Sequence, residues 1–244
     1  MALPLRSCFL TLIVVFLASC AHEQPPSNWE PVDNRTVRVD WFGFESFSLT
    51  SSHGTKIVTN PFATGTVVGE MPKDLKPEVV LMSHEKPEAT NDAVFDNVPT
   101  VFRSSIGIGS NNAAGFRIRG TPTYSDPQSQ NRGDMNLVFS WIMDGIRFCF
   151  LGNLENPLSS SDLAVIGTVD VLFLPVGVPY SLTDAERQEI IAQLRPRVII
   201  PMGRRAAFDA WASGFPKVYR LPGNSVLFNR STLPAEQTVL VFSR

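Results

Sequence analysis

A short apolar run, Val79-Val80-Leu81-Met82, empties directly into Ser83-His84-Glu85-Lys86-Pro87-Glu88-Ala89-Thr90-Asn91. An apolar stretch this short, bounded by polar residues, reads as a buried strand. In layered α/β folds the loop leaving the C-terminal end of such a strand opens onto a cleft. The segment therefore favours a fold that presents a loop at the end of a fully covered strand. A histidine heads that loop, with Lys86, Glu88 and Ala89 following two, four and five positions later.

The chain before this segment reads as hairpins. Val37 to Asp40 starts a strand, and Phe47 to Thr50 pairs with Lys56 to Thr59 around Ser51-Ser52-His53-Gly54. Gly54 can take the positive φ that such a turn needs, and His53 at its tip reads as solvated. After the segment, Val98 to Phe102 is a strand candidate, followed by a glycine- and asparagine-rich loop over Gly107 to Gly115. Phe116 to Arg119 alternates apolar and basic as a half-exposed strand does. Asn136 to Ile142 and Ile146 to Leu151 form the clearest hairpin, turning at Asp144-Gly145. From Ser159 the pattern changes to strands alternating with helices. Ser159 to Ile166 is a helix candidate, Val169 to Pro175 a buried strand, and Thr183-x-x-Glu186 a capping box opening a helix that ends near Leu194. Val198 to Ile200 is a buried strand running to Pro201-Met202-Gly203, Arg204 to Ser213 a helix, and a terminal strand pair (Ser225 to Phe228, Thr238 to Phe242) closes the chain. Hairpins followed by strand–helix alternation indicate layered α/β or α+β architecture, with two sheets between helices.

Composition narrows the function classes. With 244 residues, 43% of them hydrophobic, the chain can bury the core of one ordinary domain. A formal charge of −2 gives no basic face, so nucleic-acid binding is not expected.

The N-terminus reads as a processing signal. Arg6 precedes an apolar run from Cys8 to Leu17, and a run of about ten residues suits a signal-peptide core where a spanning helix needs about 20. It ends in Leu17-Ala18-Ser19-Cys20, which resembles a bacterial lipobox, and that resemblance implies a lipidated Cys20. The expected organisation is a signal peptide over 1–19, a lipidated N-terminus and polar tether over 20–36, and a single domain over 37–244. Buried acyl chains, at about 0.8 kcal/mol per CH₂, would hold the domain on an inner or outer bacterial membrane. His22 falls in the tether and reads as solvated. With Cys8 removed and Cys20 acylated, Cys149 remains, inside the apolar run Ile146 to Phe150. It reads as a packed core atom rather than a nucleophile.

Seven phrases, in order, resemble one family. They are Trp41-Phe42-Gly43-Phe44-Glu45-Ser46-Phe47, Ile57-Val58-Thr59-Asn60-Pro61-Phe62, Val79 to His84, Thr121-Pro122-Thr123-Tyr124, Leu151-Gly152-Asn153-Leu154, Val169 to Gly177, and Val198-Ile199-Ile200-Pro201-Met202. They are similar to the branch of the metallo-β-lactamase superfamily that contains ascorbate-phosphate-lactonase-like and metal-dependent hydrolase proteins. The resemblance implies a four-layer αββα sandwich, and in the family a His-x-His-x-Asp-His motif holds zinc or a similar ion. Of that motif only His84 stands here. Lys86 and Ala89 take histidine positions and Glu88 the aspartate position. The family's later ligands correspond to Ser125, Asn153 and Gly203, the early Gly-His pair reads Gly43-Phe44, and the Asp-Pro-Phe phrase reads Asn60-Pro61-Phe62.

A catalytic zinc takes three protein ligands at roughly 2.0–2.2 Å and an open position for water. His84 and Glu88 supply at most two, and the Lys86 ammonium would repel a dication. The expectation is a chain without a metal cofactor: a non-catalytic, membrane-anchored module that binds an envelope protein or a small anionic ligand. Lys86 is expected to pair with Glu88 or Asp126. Lys86, Arg204 and Arg205 together are the candidate anion-binding set, since the family resembled receives phosphorylated or carboxylated substrates. The alternative is a metal-dependent hydrolase with an atypical site, acting on a phosphorylated or lactone-type small molecule. Ser125 beside Asp126 is weak evidence for a triad, because nothing fixes its geometry to His84.

Overall fold

The computed structural model describes residues 35–124, 135–178 and 182–243. The signal, lipobox and tether expectations, with Cys8, Cys20 and His22, lie outside the described residues, as do Ser125 and Asp126.

Fourteen strands are described: β1 (Thr36–Gly43), β2 (Ser46–Thr50), β3 (Lys56–Thr59), β4 (Val79–Leu81), β5 (Thr100–Phe102), β6 (Gly109–Ala113), β7 (Phe116–Tyr124), β8 (Met135–Met143), β9 (Ile146–Phe150), β10 (Val171–Val176), β11 (Val198–Gly203), β12 (Val218–Leu221), β13 (Ser225–Asn229) and β14 (Thr238–Phe242). They form a six-stranded sheet ordered β13-β1-β2-β3-β4-β5 and an eight-stranded sheet ordered β12-β14-β11-β10-β9-β8-β7-β6. Both are mixed. The hairpins are antiparallel, whereas β3, β4 and β5 run parallel, as do β9, β10, β11, β14 and β12. This is the expected layered α/β sandwich.

The core lies between the sheets. Phe47 of β2 meets Phe173 of β10 at 4.7 Å between ring centroids, and Phe150 and Phe148 of β9 approach the same ring at 6.1 and 6.4 Å. All four rings are buried, and each aromatic pair adds roughly 0.5–1.5 kcal/mol beyond its area. Cys149 lies fully buried in this core, where burial pushes its thiol above the ordinary range. On the other face of the first sheet a second cluster (Phe42, Val58, Phe62, Met71, Val80, Met82, Phe95) is covered by the segment between β3 and β5.

Helices α1 (Ser104–Gly107), α2 (Ser160–Ile166), α3 (Asp184–Leu194) and α4 (Phe208–Ala212) fill the connections. Ser159 and Asp162 close a capping box on α2, and Thr183 and Glu186 close one on α3. The backbone N–H and hydroxyl of Thr183 hold the Glu186 carboxylate below its ordinary range. α3 buries Ile190, Ile191 and Leu194. Among the described residues no helix is long and apolar enough to cross a membrane.

Three interior prolines mark how the strands end. Pro122 lies beyond the last β6–β7 pair, Gly109↔Gly120. Pro175 lies beyond the last β9–β10 pair, Phe150↔Phe173, and Pro201 beyond the β11–β14 pairs at Val198 and Ile199. Each missing N–H thus falls where one flanking strand has stopped.

Two expectations are corrected. Gly109–Ala113, read as loop, is the edge strand β6, paired with β7 from Gly109↔Gly120 to Ala113↔Phe116. Its glycine and asparagines hid the β pattern, and the partner strand supplies what propensity lacks. The terminal strands do not pair with each other. β13 joins β1 in the first sheet, while β14 joins β11 and β12 in the second. The chain crosses between sheets there, which alternation within each strand cannot reveal.

Candidate functional site

The loop after β4 is held by backbone and side-chain contacts from neighbouring strand ends. The Leu137 N–H of β8 donates to the Ser83 carbonyl at 2.7 Å, and Asn60 N–H, just past β3, donates to the Leu81 carbonyl at 2.8 Å. Asn60 sits at φ 37°, a left-handed conformation that asparagine tolerates. In that pose its Oδ1 accepts from Ser83 N–H at 2.8 Å, and its Nδ2 lies 2.9 Å from both Ser83 Oγ and Glu45 Oε2. Gly152, at φ 59°, packs so tightly that a Cβ there would overlap the side chains of Ser83 and Asn136.

His84 is buried in this nest and both its ring nitrogens are engaged. Nδ1 accepts the Lys86 backbone N–H at 3.3 Å, and Nε2 lies 3.2 Å from Glu45 Oε2. A backbone N–H can only donate, so Nδ1 carries the lone pair and Nε2 the proton. His84 therefore donates from Nε2 to Glu45. Glu45 is completely buried in the turn between β1 and β2, and its Oε1 has no partner among the described residues. Sequence reasoning passed over Glu45. Its signal was being the sole ionisable side chain in Trp41–Phe47.

Lys86 does not pair with Glu88. Its Nζ lies 3.5 Å from Glu155 Oε1, the same oxygen that accepts from Asn153 Nδ2 at 3.1 Å. The lysine side chain is 43% exposed, so it borders the nest without filling it. Glu85 turns outward to Arg103, and hydrogen bonding to Glu85 raises that guanidinium's pKa further. Ala89 is fully buried and its methyl side chain offers no ligating atom. Gly203, at φ 119°, donates its N–H to the Phe44 carbonyl at 2.9 Å. A Cβ at Gly203 would overlap the Val176 carbonyl and the Val178 side chain, so the position is closed to any side chain.

These residues do not fit a catalytic zinc. Among the described residues no three His, Cys, Asp or Glu side chains gather in ligating range. The imidazole is committed at both nitrogens, Asn153 donates its amide to Glu155, and Gly203 cannot bear a ligand.

Beside the nest opens a cavity of about 890 Å³ whose wall includes Trp41, Phe44, Val67, Glu70, Glu88 and Arg204. Arg205 also borders it, but its guanidinium is bound to Asp209 at 2.8 Å and lies 5.8 Å over the Phe208 ring. Hydrogen bonds from Arg205 and Arg220 hold Asp209 below the ordinary carboxylate range. Lys86 is not on that wall, so the three cations expected to act together are distributed between Glu155, Asp209 and, for Arg204, the cavity.

A family model described as the beta-lactamase superfamily domain matches residues 38–203, spanning the nest and most of both sheets. The chain belongs to that family. Among its relatives is a UPF0173 metal-dependent hydrolase of Deinococcus radiodurans, 29% identical over 216 residues that cover 77% of this chain and 92% of the relative. Another of the same name, from Archaeoglobus fulgidus, is 22% identical over 192 residues, covering 68% and 82%. A solved structure from Thermotoga maritima, a proposed Zn-dependent hydrolase of the metallo-beta-lactamase superfamily, superposes with a TM-score of 0.68 at 28% identity, covering 84% of this chain and 98% of that one. The fold is shared as well with Igni18, a metallo hydrolase from Ignicoccus hospitalis, at TM-score 0.58 and 21% identity over 80% and 99% of the two chains. This superfamily member therefore has metal-dependent-hydrolase-like relatives and carries His84, Lys86, Glu88, Ala89 and Asn153 in loops after strands and Gly203 at the end of β11.

Proposed function

We propose that this superfamily member does not hydrolyse its ligand. It acts as a binding or interaction module on the bacterial cell envelope, held to the membrane by lipid on Cys20. The observation that carries the reading is His84: Nδ1 accepts a hydrogen bond from a backbone N–H and Nε2 donates its proton to Glu45, so no ring lone pair faces the cleft. The test is elemental analysis of the purified chain after incubation with zinc, manganese or iron and removal of excess ion. Well under one equivalent of metal is expected, with no release of product from phosphate esters or lactones. A stoichiometric ion would restore the rival reading, a hydrolase with an atypical site, which the metal-dependent hydrolase relatives favour.

Anchoring rests on the short apolar run and the Leu17-Ala18-Ser19-Cys20 phrase. Labelled fatty acid fed to expressing bacteria is expected to appear in the wild-type chain and to vanish from Cys20→Ser. Equal label in both would remove lipidation at Cys20 from the proposal.

A further inference from the structure

The cavity beside the nest combines an aromatic floor with solvent-accessible charges of both signs that form no ion pair among the described residues. Trp41 and Phe44 come from the end of β1, and Phe44 is fixed by donation from Gly203 N–H to its carbonyl. Donation from Trp41 Nε1 to the same carbonyl at 3.1 Å fixes it further. The segment carrying Val67 and Glu70 is pinned against β1. Gly43 and Gly69 meet with no room for a Cβ on either, and Glu70 N–H donates to the Phe42 carbonyl at 3.1 Å. Glu88 enters from the loop after β4 and Arg204 from the end of β11. Among the described residues the side chains of Glu70, Glu88 and Arg204 make no hydrogen bond or ion pair. Arg205, by contrast, is spent on Asp209.

An anion alone would meet Arg204 but also two carboxylates, and a cation alone would meet the reverse conflict. Both charges, already wetted by solvent, are met together by a ligand that carries both. The volume falls within the roughly 300–1,000 Å³ of small-molecule sites. We infer that the cavity binds a small zwitterion with an apolar body, such as a short apolar peptide with both termini free, its ammonium facing Glu70 and Glu88 and its carboxylate on Arg204. The inference rests on the binding-module reading above and names that module's ligand class. It replaces the simple anion expected from Lys86, Arg204 and Arg205, because Lys86 is drawn to Glu155 and away from the cavity wall.

The experiment is calorimetric titration of the full chain with trileucine, its N-acetyl derivative and its C-terminal amide. Trileucine is expected to bind, and each blocked form to bind at least about tenfold more weakly, as loss of a charge-assisted contact implies. Arg204→Gln is expected to abolish discrimination against the amide, and Glu88→Gln with Glu70→Gln discrimination against the acetylated form. All three positions lie on loops at the cavity edge, and circular dichroism of the variants checks that the fold is kept. Equal binding of all three probes, or no binding of any, overturns the zwitterion inference. Neither result touches the non-hydrolytic reading, which stands or falls on metal stoichiometry.

Discussion

Replacing His84 by alanine is expected to lower stability by about 3 kcal/mol, through a new cavity and the loss of one of two donors to a buried carboxyl group. Glu45 has no solvent to turn to, its Oε1 is already without a partner, and Asn60 Nδ2 would be its remaining donor. Glu45→Ala is expected to cost a similar amount, because it strands the Nε2–H of a ring whose other nitrogen is fixed by Lys86. The two losses should not add. Replacing both members of a buried polar pair by apolar groups of like volume is often near neutral, so Glu45→Met with His84→Leu should be no worse than either single change. Urea unfolding of the wild type, both alanine variants, the double alanine variant and the apolar double variant gives these values directly. Strictly additive alanine losses would mean that Glu45 and His84 are not energetically coupled, and the hydrogen bond from His84 Nε2 to Glu45 would lose its support.

The second large effect concerns the family's last ligand position. Gly203→His would restore the residue type expected there by family resemblance, yet it is expected to cost about 3 kcal/mol or more and to add no metal. The backbone at φ 119° disfavours any side chain, and a Cβ would run into the Val176 carbonyl. Strain of that kind costs about 1–3 kcal/mol, and overpacking about as much again. The N–H of residue 203 also donates to the Phe44 carbonyl, so relief by moving the backbone would break the bridge between the ends of β1 and β11. Unfolding midpoint and zinc stoichiometry check the prediction together. A variant as stable as wild type that holds one zinc would show that the cleft can reopen.

The framework was legible where side-chain periodicity and turn chemistry agree. The hairpin at Asp144-Gly145 forms with both residues at positive φ, and the capping boxes at Ser159 and Thr183 close as their spacing requires. The edge strand β6 was hidden because Gly109-Ser110-Asn111-Asn112-Ala113 has no β-branched residue, and its pairing is imposed by β7. At the site, the sequence identified which positions lack a ligating side chain but not where their replacements point. Lys86 has Glu88 two residues away and still reaches Glu155, which is distant in sequence and comes beside it only when β4 and β9 lie in their sheets. Glu45 was overlooked for a related reason: an isolated carboxylate in an apolar phrase gives no hint that a histidine 39 residues later will meet it.

The placement of Pro122, Pro175 and Pro201 has a consequence for how such a chain can change over time. Past each proline one ladder has already run out, so Tyr124 and Val176 are zipped to one neighbouring strand rather than two, whereas Gly203 is held by its own bridge to Phe44. Exchanging residues that follow such a strand end, as Arg204 follows β11, alters what the cavity offers a visitor while the zipped middles of the strands keep the sandwich closed. A scaffold divided in this way can shed one chemistry, or acquire another, without first having to survive unfolding.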